Sequence, residues 1–243
     1  LVKEKEFNKQ GADYLSKIYS SERRPLTDYP EKLTKYLSNE VLRIHNGKVL
    51  DVGCGRGDIL RAFQKINFEV TGIDLSEEAI ELCKPIKVLQ KDLENEEVNI
   101  NQEYDVVFSK SLIEHLNNPL NFLRSCKKIV KSDGTVIIMT PSWFHHQFGP
   151  FYLDHTHIKP FTMQSLRDIG YLAGFNNVKV SYFYQLPIIW NYPSIKILSK
   201  IICSLKLPYS PMYDGMTIIK WPNEINKFIK FSREVMLLAV MKN

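Results

Sequence analysis

Lys48-Val49-Leu50-Asp51-Val52-Gly53-Cys54-Gly55-Arg56-Gly57 decides the fold. The run Val49 to Val52 is a short, largely apolar strand containing one acid. Glycines follow at 53, 55 and 57, and then a stretch with Ile59, Phe63 and Ile66 at helical spacing. Glycine at such positions permits a tight turn and lets the backbone approach a ligand closely. Taken alone, the loop fits an ordinary strand-to-helix turn equally well.

Working outward, the same strand-then-helix pattern repeats. Glu69 to Ile73 reads as a second strand, followed by a helix capped by Ser76. Ile86 to Leu89, Tyr104 to Phe108 and Thr135 to Met139 read as three more strands. Between the last two, Pro119 opens a helix with Leu120, Leu123 and Val130 inward, proline being favoured at a first helical position. A further helix covers about Met163 to Ala173 and stops at Gly174. Val178 to Phe183 and Glu234 to Met241 supply two last strands. The expectation is an α/β fold: a doubly wound, mostly parallel seven-stranded sheet with helices on both faces. Residues 1–45, with Leu33, Tyr36, Leu37, Val41 and Ile44 at helical spacing, read as an N-terminal helical cap broken around Ser20 to Pro30. Residues 46–184 form the core, 185–231 an insertion or lid, and 232–243 the last strand of the core.

Three acids accompany the glycine loop. Asp51 ends strand one. Near a pyrophosphate its charge would be unfavourable; near a cationic amino-acid ligand it is favourable. Asp74 ends strand two, 23 residues on, where a carboxylate can accept hydrogen bonds from both ribose hydroxyls. Asp92, after strand three, can accept from an adenine amino group, with Leu93 covering the ring.

As an ordered set, Val49 to Gly57, Gly72-Ile73-Asp74-Leu75-Ser76, Asp92-Leu93 and Tyr104-Asp105-Val106-Val107 resemble successive motifs of class I S-adenosylmethionine-dependent methyltransferases. The resemblance covers roughly Gly47 to Phe175, plus the final strand. It implies S-adenosylmethionine as cofactor and S-adenosylhomocysteine as product. Gly53 and Gly55 would approach the methionine part, within a loop closed by Gly57. Asp51 would act near it through the loop, Asp74 would hold the ribose, Leu75 would pack on adenine, and the Ser109 carbonyl would receive the cofactor's amino group.

Ligands of doubly wound sheets sit beyond the carboxyl ends of the strands. Five of the six histidines lie after strands four and five: His115, His145, His146, His155 and His157. Methyl transfer to an alcohol needs a general base, the natural role of histidine near neutral pH. His155, His157 and His115 are the candidate catalytic residues, with Asp154 placed to orient a ring. His115 fits a structural role within a helix start equally well, and His145 and His146 fit loop surface. Alternation in an extended segment would put His155 and His157 on one face. The sequence fixes no third ligand beside that pair, so no metal is expected. Asp154 to Thr162 is similar to a segment of ubiquinone-biosynthesis-like methyltransferases and of relatives associated with surface glycans, implying O-methylation of a sugar, glycan or other small hydroxyl acceptor. Two rivals stand beside this reading. RNA or other N- or C-methylation would want a stacking motif such as Asn-Pro-Pro-Tyr, which Ser109-Lys110-Ser111-Leu112 lacks; nucleic acid is therefore not the expected partner. A non-catalytic cofactor-binding scaffold would not need the histidines.

Charge separates the two ends of the chain. Residues 185–243 carry eight Lys/Arg against three acids, which is the whole net charge of +5; the first 184 residues are neutral. Between Pro193 and Leu207, Ile195, Ile197, Leu198, Ile201, Ile202 and Leu205 fall on one half of a helix. Lys196, Lys200, Lys206, Ser199 and Ser204 fall on the other. Such a helix is either a lid packed by its apolar face or a peripheral contact with an anionic membrane or lipid-linked substrate. No apolar run reaches the ~20 residues of a membrane span, the first ten residues lack a signal-peptide pattern, and the four cysteines form no Cys-x-x-Cys. A cytoplasmic protein, peripheral to the membrane at most, is the expectation.

Overall fold

The computed structural model describes residues 15, 25–96, 103–147, 150–210 and 221–243. Seven strands form one sheet: β1 (Gly47–Val52), β2 (Phe68–Asp74), β3 (Val88–Gln90), β4 (Tyr104–Lys110), β5 (Val130–Pro141), β6 (Asn177–Phe183) and β7 (Met236–Lys242). Their spatial order is β3-β2-β1-β4-β5-β7-β6. β1, β2, β3, β4 and β5 pair in parallel; β7 runs antiparallel to both its neighbours, β5 and β6. The expected doubly wound sheet is therefore present. Several boundaries differ: β7 begins at Met236 rather than Glu234, and β5 runs on to Pro141. β3 begins at Val88 rather than Ile86, and β5 starts five residues early, at Val130, across a register shift between Tyr104 and Val106. There the Asp105 carboxylate accepts from the Lys48 N–H and pairs with Lys131, both at 2.7 Å, fastening the entrances of β1 and β5 to β4.

The central strands are covered on both faces, which is why they read as apolar runs rather than alternations. Leu50, Val52, Val107 and Ile138 point into one core, with Phe122, Leu123 and Cys126 of α4 (Pro119–Ile129) and Leu166 of α6 (Met163–Leu172). Val49, Val106, Phe108, Ile137 and Met139 point into the other. Against them lie Leu33 of α1 (Tyr29–Tyr36), Leu37 in the wide turn that continues it, and Phe63 of α2 (Asp58–Gln64). Asn118 caps α4, its side chain accepting from the Asn121 N–H, and Pro119 stands at the first turn as expected. Val130 belongs to β5, not to that helix. Within residues 1–45, α1 and its extension account for the expected helical cap from Tyr29 onward; of the break expected at Ser20 to Pro30, residues 25–28 are non-helical and residues 20–24 lie outside the described residues.

Three more helices complete the described order after α3 (Glu77–Cys83) and the short α5 (Trp143–His146): α7 (Pro187–Asn191), α8 (Ile195–Ser204) and α9 (Asn223–Arg233). The amphipathic segment is a helix, shorter than its flanking prolines suggest. It docks by a mixed face, with Ile195, Ile202 and Cys203 half-buried beside Ser199. Ser199 is buried and its hydroxyl accepts from the Ser232 hydroxyl at 2.9 Å, while Ile197, Leu198, Ile201 and Leu205 are 49–66% exposed. Part of the apolar half packs inward, Ile195 lying against the cluster of Tyr184, Leu186, Ile189 and Val235, and part faces outward. Two serines permit a close helix approach with their hydroxyls paired, and Ile197, Leu198, Ile201 and Leu205 turn outward. No helix of the described residues is long and apolar enough to cross a membrane.

Candidate functional site

The C-terminal ends of β1, β2 and β4 open into one cavity of about 480 Å³. Asp51, Gly53, Cys54, Gly55, Asp74, Leu75, Asp92 and Leu93 line one part of it. The loop after β1 hangs on β2: the N–H groups of Gly53 and Cys54 both donate to the Ile73 carbonyl, at 2.8 and 3.1 Å. Gly53, Gly55 and Gly57 have φ of +76, +51 and +75°, a region that penalises any side chain, and a Cβ at Gly57 would lie 2.6 Å from Cys83 Sγ.

Two acids are buried side by side in this wall, Asp51 at 3% and Asp74 at 5% exposure. Burial, and after it the neighbouring Asp74 charge, raises the Asp51 carboxyl well above the usual range. Such a pair is eased by a cationic ligand, as a sulfonium and an α-ammonium group would be. Asp74 is already engaged. One oxygen accepts from the Gly55 N–H at 2.8 Å and the other from the Ser76 N–H at 2.9 Å. A carboxylate oxygen can accept more than one hydrogen bond, so an acid placed here can face a ribose while fixing the loop. Leu75, 53% exposed at the mouth, and the buried Leu93 are placed to flank a flat base. These residues fit S-adenosylmethionine.

Two expected contacts are arranged differently. The Asp92 carboxylate closes its own turn, accepting from the N–H groups of Glu94 and Asn95 and from the Asn95 amide. Ser109 is buried, its hydroxyl donating to the Val52 carbonyl at 2.9 Å; its neighbours Phe108 and Lys110, not Ser109, line the cavity. Gly57 shapes the loop from outside that lining, as the αL residue that starts α2.

The other part of the cavity is lined by Lys110, Ser111, Leu112, His115, Leu116, Asp154 and Thr156. His115 follows Glu114 in the single turn Ile113–His115. Glu114 is fully buried. Its Oε2 accepts from the Thr140 hydroxyl at 2.9 Å, whereas Oε1 has no hydrogen-bond partner among the described residues. Burial pushes this carboxyl up to about 7. The Glu114 carbonyl receives the N–H groups of Ile158 and Lys159, which draws the 154–159 segment onto the turn. His157 Nε2 consequently lies 4.0 Å from both Glu114 Oε1 and Asp154 Oδ2, and its ring is 4.7 Å from that of His115.

Hydrogen bonds set the tautomers of both rings. His157 Nδ1 is 2.7 Å from the Phe151 carbonyl and must donate. The Thr156 hydroxyl spends its hydrogen on Asp154, at 2.5 Å, so His115 Nδ1 is the donor to Thr156, whose carbonyl is 3.2 Å away. Both Nε2 atoms then carry lone pairs. Burial, followed by the nearby His157, lowers the His115 imidazole below its ordinary value.

The structure separates the remaining histidines. Asp154 to Thr156 form a turn rather than an extended segment, so His155 and His157 do not share a face, and His155 is exposed away from the cavity lining. His146 is buried, its Nδ1 on the Ser142 carbonyl, and His145 pairs with the Ser142 hydroxyl, both at 2.9 Å. Burial drives both rings down to about 4, so they serve as neutral packing groups rather than loop surface. Glu114 is the buried acid of this wall that the sequence reading passed over. Its only signal is a lone acid inside Leu112-Ile113-Glu114-His115-Leu116.

The chain matches the family model described as a methyltransferase domain over residues 21–180, well over half its length. It belongs to that family, as a class I S-adenosylmethionine-dependent methyltransferase. It is 32% identical over 131 residues to a ubiquinone biosynthesis O-methyltransferase of Proteus mirabilis, covering 49% of this chain and 54% of that protein. A Vibrio vulnificus protein of the same name is 31% identical over 125 residues, covering 48% and 53%. The chain thus spans about half the length of the curated relatives it matches. Among solved structures, a SAM-dependent methyltransferase from Archaeoglobus fulgidus superposes with a TM-score of 0.56 at 22% identity, over 87% of this chain and 94% of that one. The plantazolicin methyltransferase BamL, in complex with a desmethylPZN analog and SAH, superposes with 0.60 at 16%, over 100% and 98%. These two likenesses are of fold.

Proposed function

We propose that this chain transfers a methyl group from S-adenosylmethionine to a hydroxyl oxygen of a sugar, glycan or other small acceptor. The observation that carries the reading is one cavity with two chemically distinct walls: the Asp51–Asp74 wall suits a cation, and the wall of His115, Asp154 and Thr156 suits a hydroxyl. The cofactor supplies an electrophilic methyl group, so the chain has to align the acceptor and take its proton. His115 opens onto the cavity with its Nε2 lone pair free to accept that proton. Thr156 and Asp154 hold the ring from the other side. The O-methyltransferase names of the two relatives support oxygen as the acceptor atom.

Incubation with S-adenosylmethionine carrying a labelled methyl group, against a panel of phenols, sugars and amines, tests the reading. Label transferred to hydroxyl acceptors, and a His115→Ala variant slowed by roughly 10²–10⁴-fold with S-adenosylhomocysteine affinity retained, is the expected result. Preferential transfer to amines, or unchanged turnover in the variant, would overturn it.

The reading extends to α8. Its outward Ile197, Leu198, Ile201 and Leu205, with Lys200 and Lys206 also exposed, suit an interfacial helix that brings the cavity to an anionic membrane or a lipid-linked acceptor.

A further inference from the structure

Two thiols beneath the cofactor loop have no part in the proposed chemistry. Cys54 stands between Gly53 and Gly55 and lines the cavity; Cys83 is the last residue of α3. Both are free and buried, at 8% and 0% exposure. They pack in one small apolar cluster with Leu60, Ile86 and Val88. Two glycines make room for their sulfurs. A Cβ at Gly72 of β2 would lie 2.7 Å from Cys54 Sγ, and one at Gly57 would lie 2.6 Å from Cys83 Sγ. The thiols also meet each other and the loop. Cys83 donates to the Gly55 carbonyl at 3.5 Å, and a hydrogen bond joins its sulfur to Cys54. Arg61 of α2 donates to the carbonyls of Arg56 and Leu82, which sets its guanidinium beside Cys83.

A buried cysteine on its own behaves as a small hydrophobe. This pair is polarised instead. The Cys54 hydrogen bond, helped by Arg61, holds the Cys83 thiol below its ordinary value against the effect of burial. The same hydrogen bond, and burial after it, push Cys54 up. Cys83 therefore sheds its proton more readily, and the thiolate is the reactive form. Cys126 shows the contrast, its thiol pushed up by burial.

We infer that Cys54 and Cys83 are a reversible thiol–disulfide pair, closed by hydrogen peroxide, that controls cofactor binding. The Cys83 thiolate attacks one peroxide oxygen and the O–O bond breaks. The departing hydroxide takes up the proton Cys83 released and becomes water, leaving Cys83 as a sulfenic acid. The Cys54 sulfur then attacks the Cys83 sulfur and the S–O bond breaks; this second hydroxide takes the Cys54 proton and also leaves as water. Two thiols are oxidised to one disulfide, and one peroxide is reduced to two waters. Peroxide is little larger than water, and the pair is reached from the cavity that Cys54 lines. A bound cofactor would cover that side, so the empty enzyme is the form that reacts.

The effect on binding runs through Gly55. Its carbonyl meets Cys83, and its N–H donates to Asp74 at 2.8 Å. Bonded sulfurs sit closer than hydrogen-bonded ones. Closing the bond draws Cys54 toward α3 and swings Gly55 off the Asp74 carboxylate, parting the loop from the acid that faces the ribose.

Cofactor-free protein is treated with dilute hydrogen peroxide, quenched with catalase, and its thiols are counted after denaturation. The four thiols of the chain should fall to two. Peptide mapping should find the Cys54 peptide joined to the Cys83 peptide. S-adenosylhomocysteine affinity, measured by calorimetry, should fall about 10-fold, what one charge-assisted hydrogen bond is worth at the low end, and should return after dithiothreitol. Protein loaded beforehand with S-adenosylhomocysteine should keep its thiols longer. Cys83→Ala, with Cys83→Ser in its place should the alanine protein not fold, should form no link and keep its affinity through the same treatment. That arm separates the link from oxidation of methionine. Four thiols surviving peroxide, a link between other cysteines, or a linked protein that binds as before overturns the inference. So does an equal loss of affinity in the Cys83 variant. No methyl acceptor enters these measurements, so their failure leaves the methyl-transfer reading to its own test.

Discussion

At the scale of single residues, Asp51 shows a conflict between folding and ligand binding. Its carboxyl is raised by burial and by Asp74. A raised folded-state pKa means that the cost of ionising it is absent below the unfolded value and grows as pH rises through the folded one. Asp51→Asn should therefore raise the melting temperature of the ligand-free protein at neutral pH and leave it nearly unchanged under acid conditions. The same change should weaken S-adenosylmethionine binding, because a cationic ligand is what relieves the charge. Thermal unfolding across pH, with calorimetric titration of the cofactor, checks both signs. Wild-type binding should also release protons at pH values where free Asp51 is partly protonated, seen as a dependence of the binding heat on buffer ionisation enthalpy. Residue by residue, the cofactor wall was legible because each acid ends a strand and follows an apolar run. Glu114 was not, because its burial is made by Thr140 on β5 and by backbone donors at Ile158 and Lys159, groups 26 to 45 positions away. His155 was misplaced because alternation holds only in extended backbone, and a turn at Asp154 to Thr156 intervenes.

At the scale of elements, the hydrophobic period of α8 was legible, while its orientation stayed open between a lid and a surface contact. Periodicity says which residues share a face; it cannot say which face meets the protein when a paired hydroxyl such as Ser199–Ser232 competes for the interface. The exposed stripe predicts binding to vesicles containing anionic lipid. Each lysine near such a surface adds about 1 kcal/mol, and screening within about 8 Å at physiological ionic strength weakens that contribution. Sedimentation should show salt-sensitive binding that neutral vesicles do not reproduce and that a Lys196/Lys200/Lys206→Glu variant loses. Equal binding to both vesicle types would remove the electrostatic part of this account. Boundaries were legible where a cap or proline marks them, as at Asn118-Pro119, and illegible where pairing sets them. β5 runs back to Val130 only because Tyr104 across the sheet accepts it as a neighbour.

At the scale of the whole molecule, both cores depend on β7. Leu237, Ala239 and Met241 enter one face and Met236 and Leu238 the other. Leu237 is fully buried, so Leu237→Ala should cost about 2–5 kcal/mol, measurable as a lower midpoint in denaturant unfolding. An effect below about 1 kcal/mol would mean that the cavity collapses or that the strand is dispensable.

The position of β7 also imposes an order on synthesis. A ribosome releases the chain from its amino end, yet the strand that joins β5 to β6 comes from residues 236–242. Until those residues clear the exit tunnel, β6 has no neighbour and β5 has one open edge, and unpaired edges invite pairing with other chains. A polypeptide stopped before Met236 should accumulate in aggregates or be cleared by proteases, even though every residue of the cofactor loop and the histidine cluster has been made.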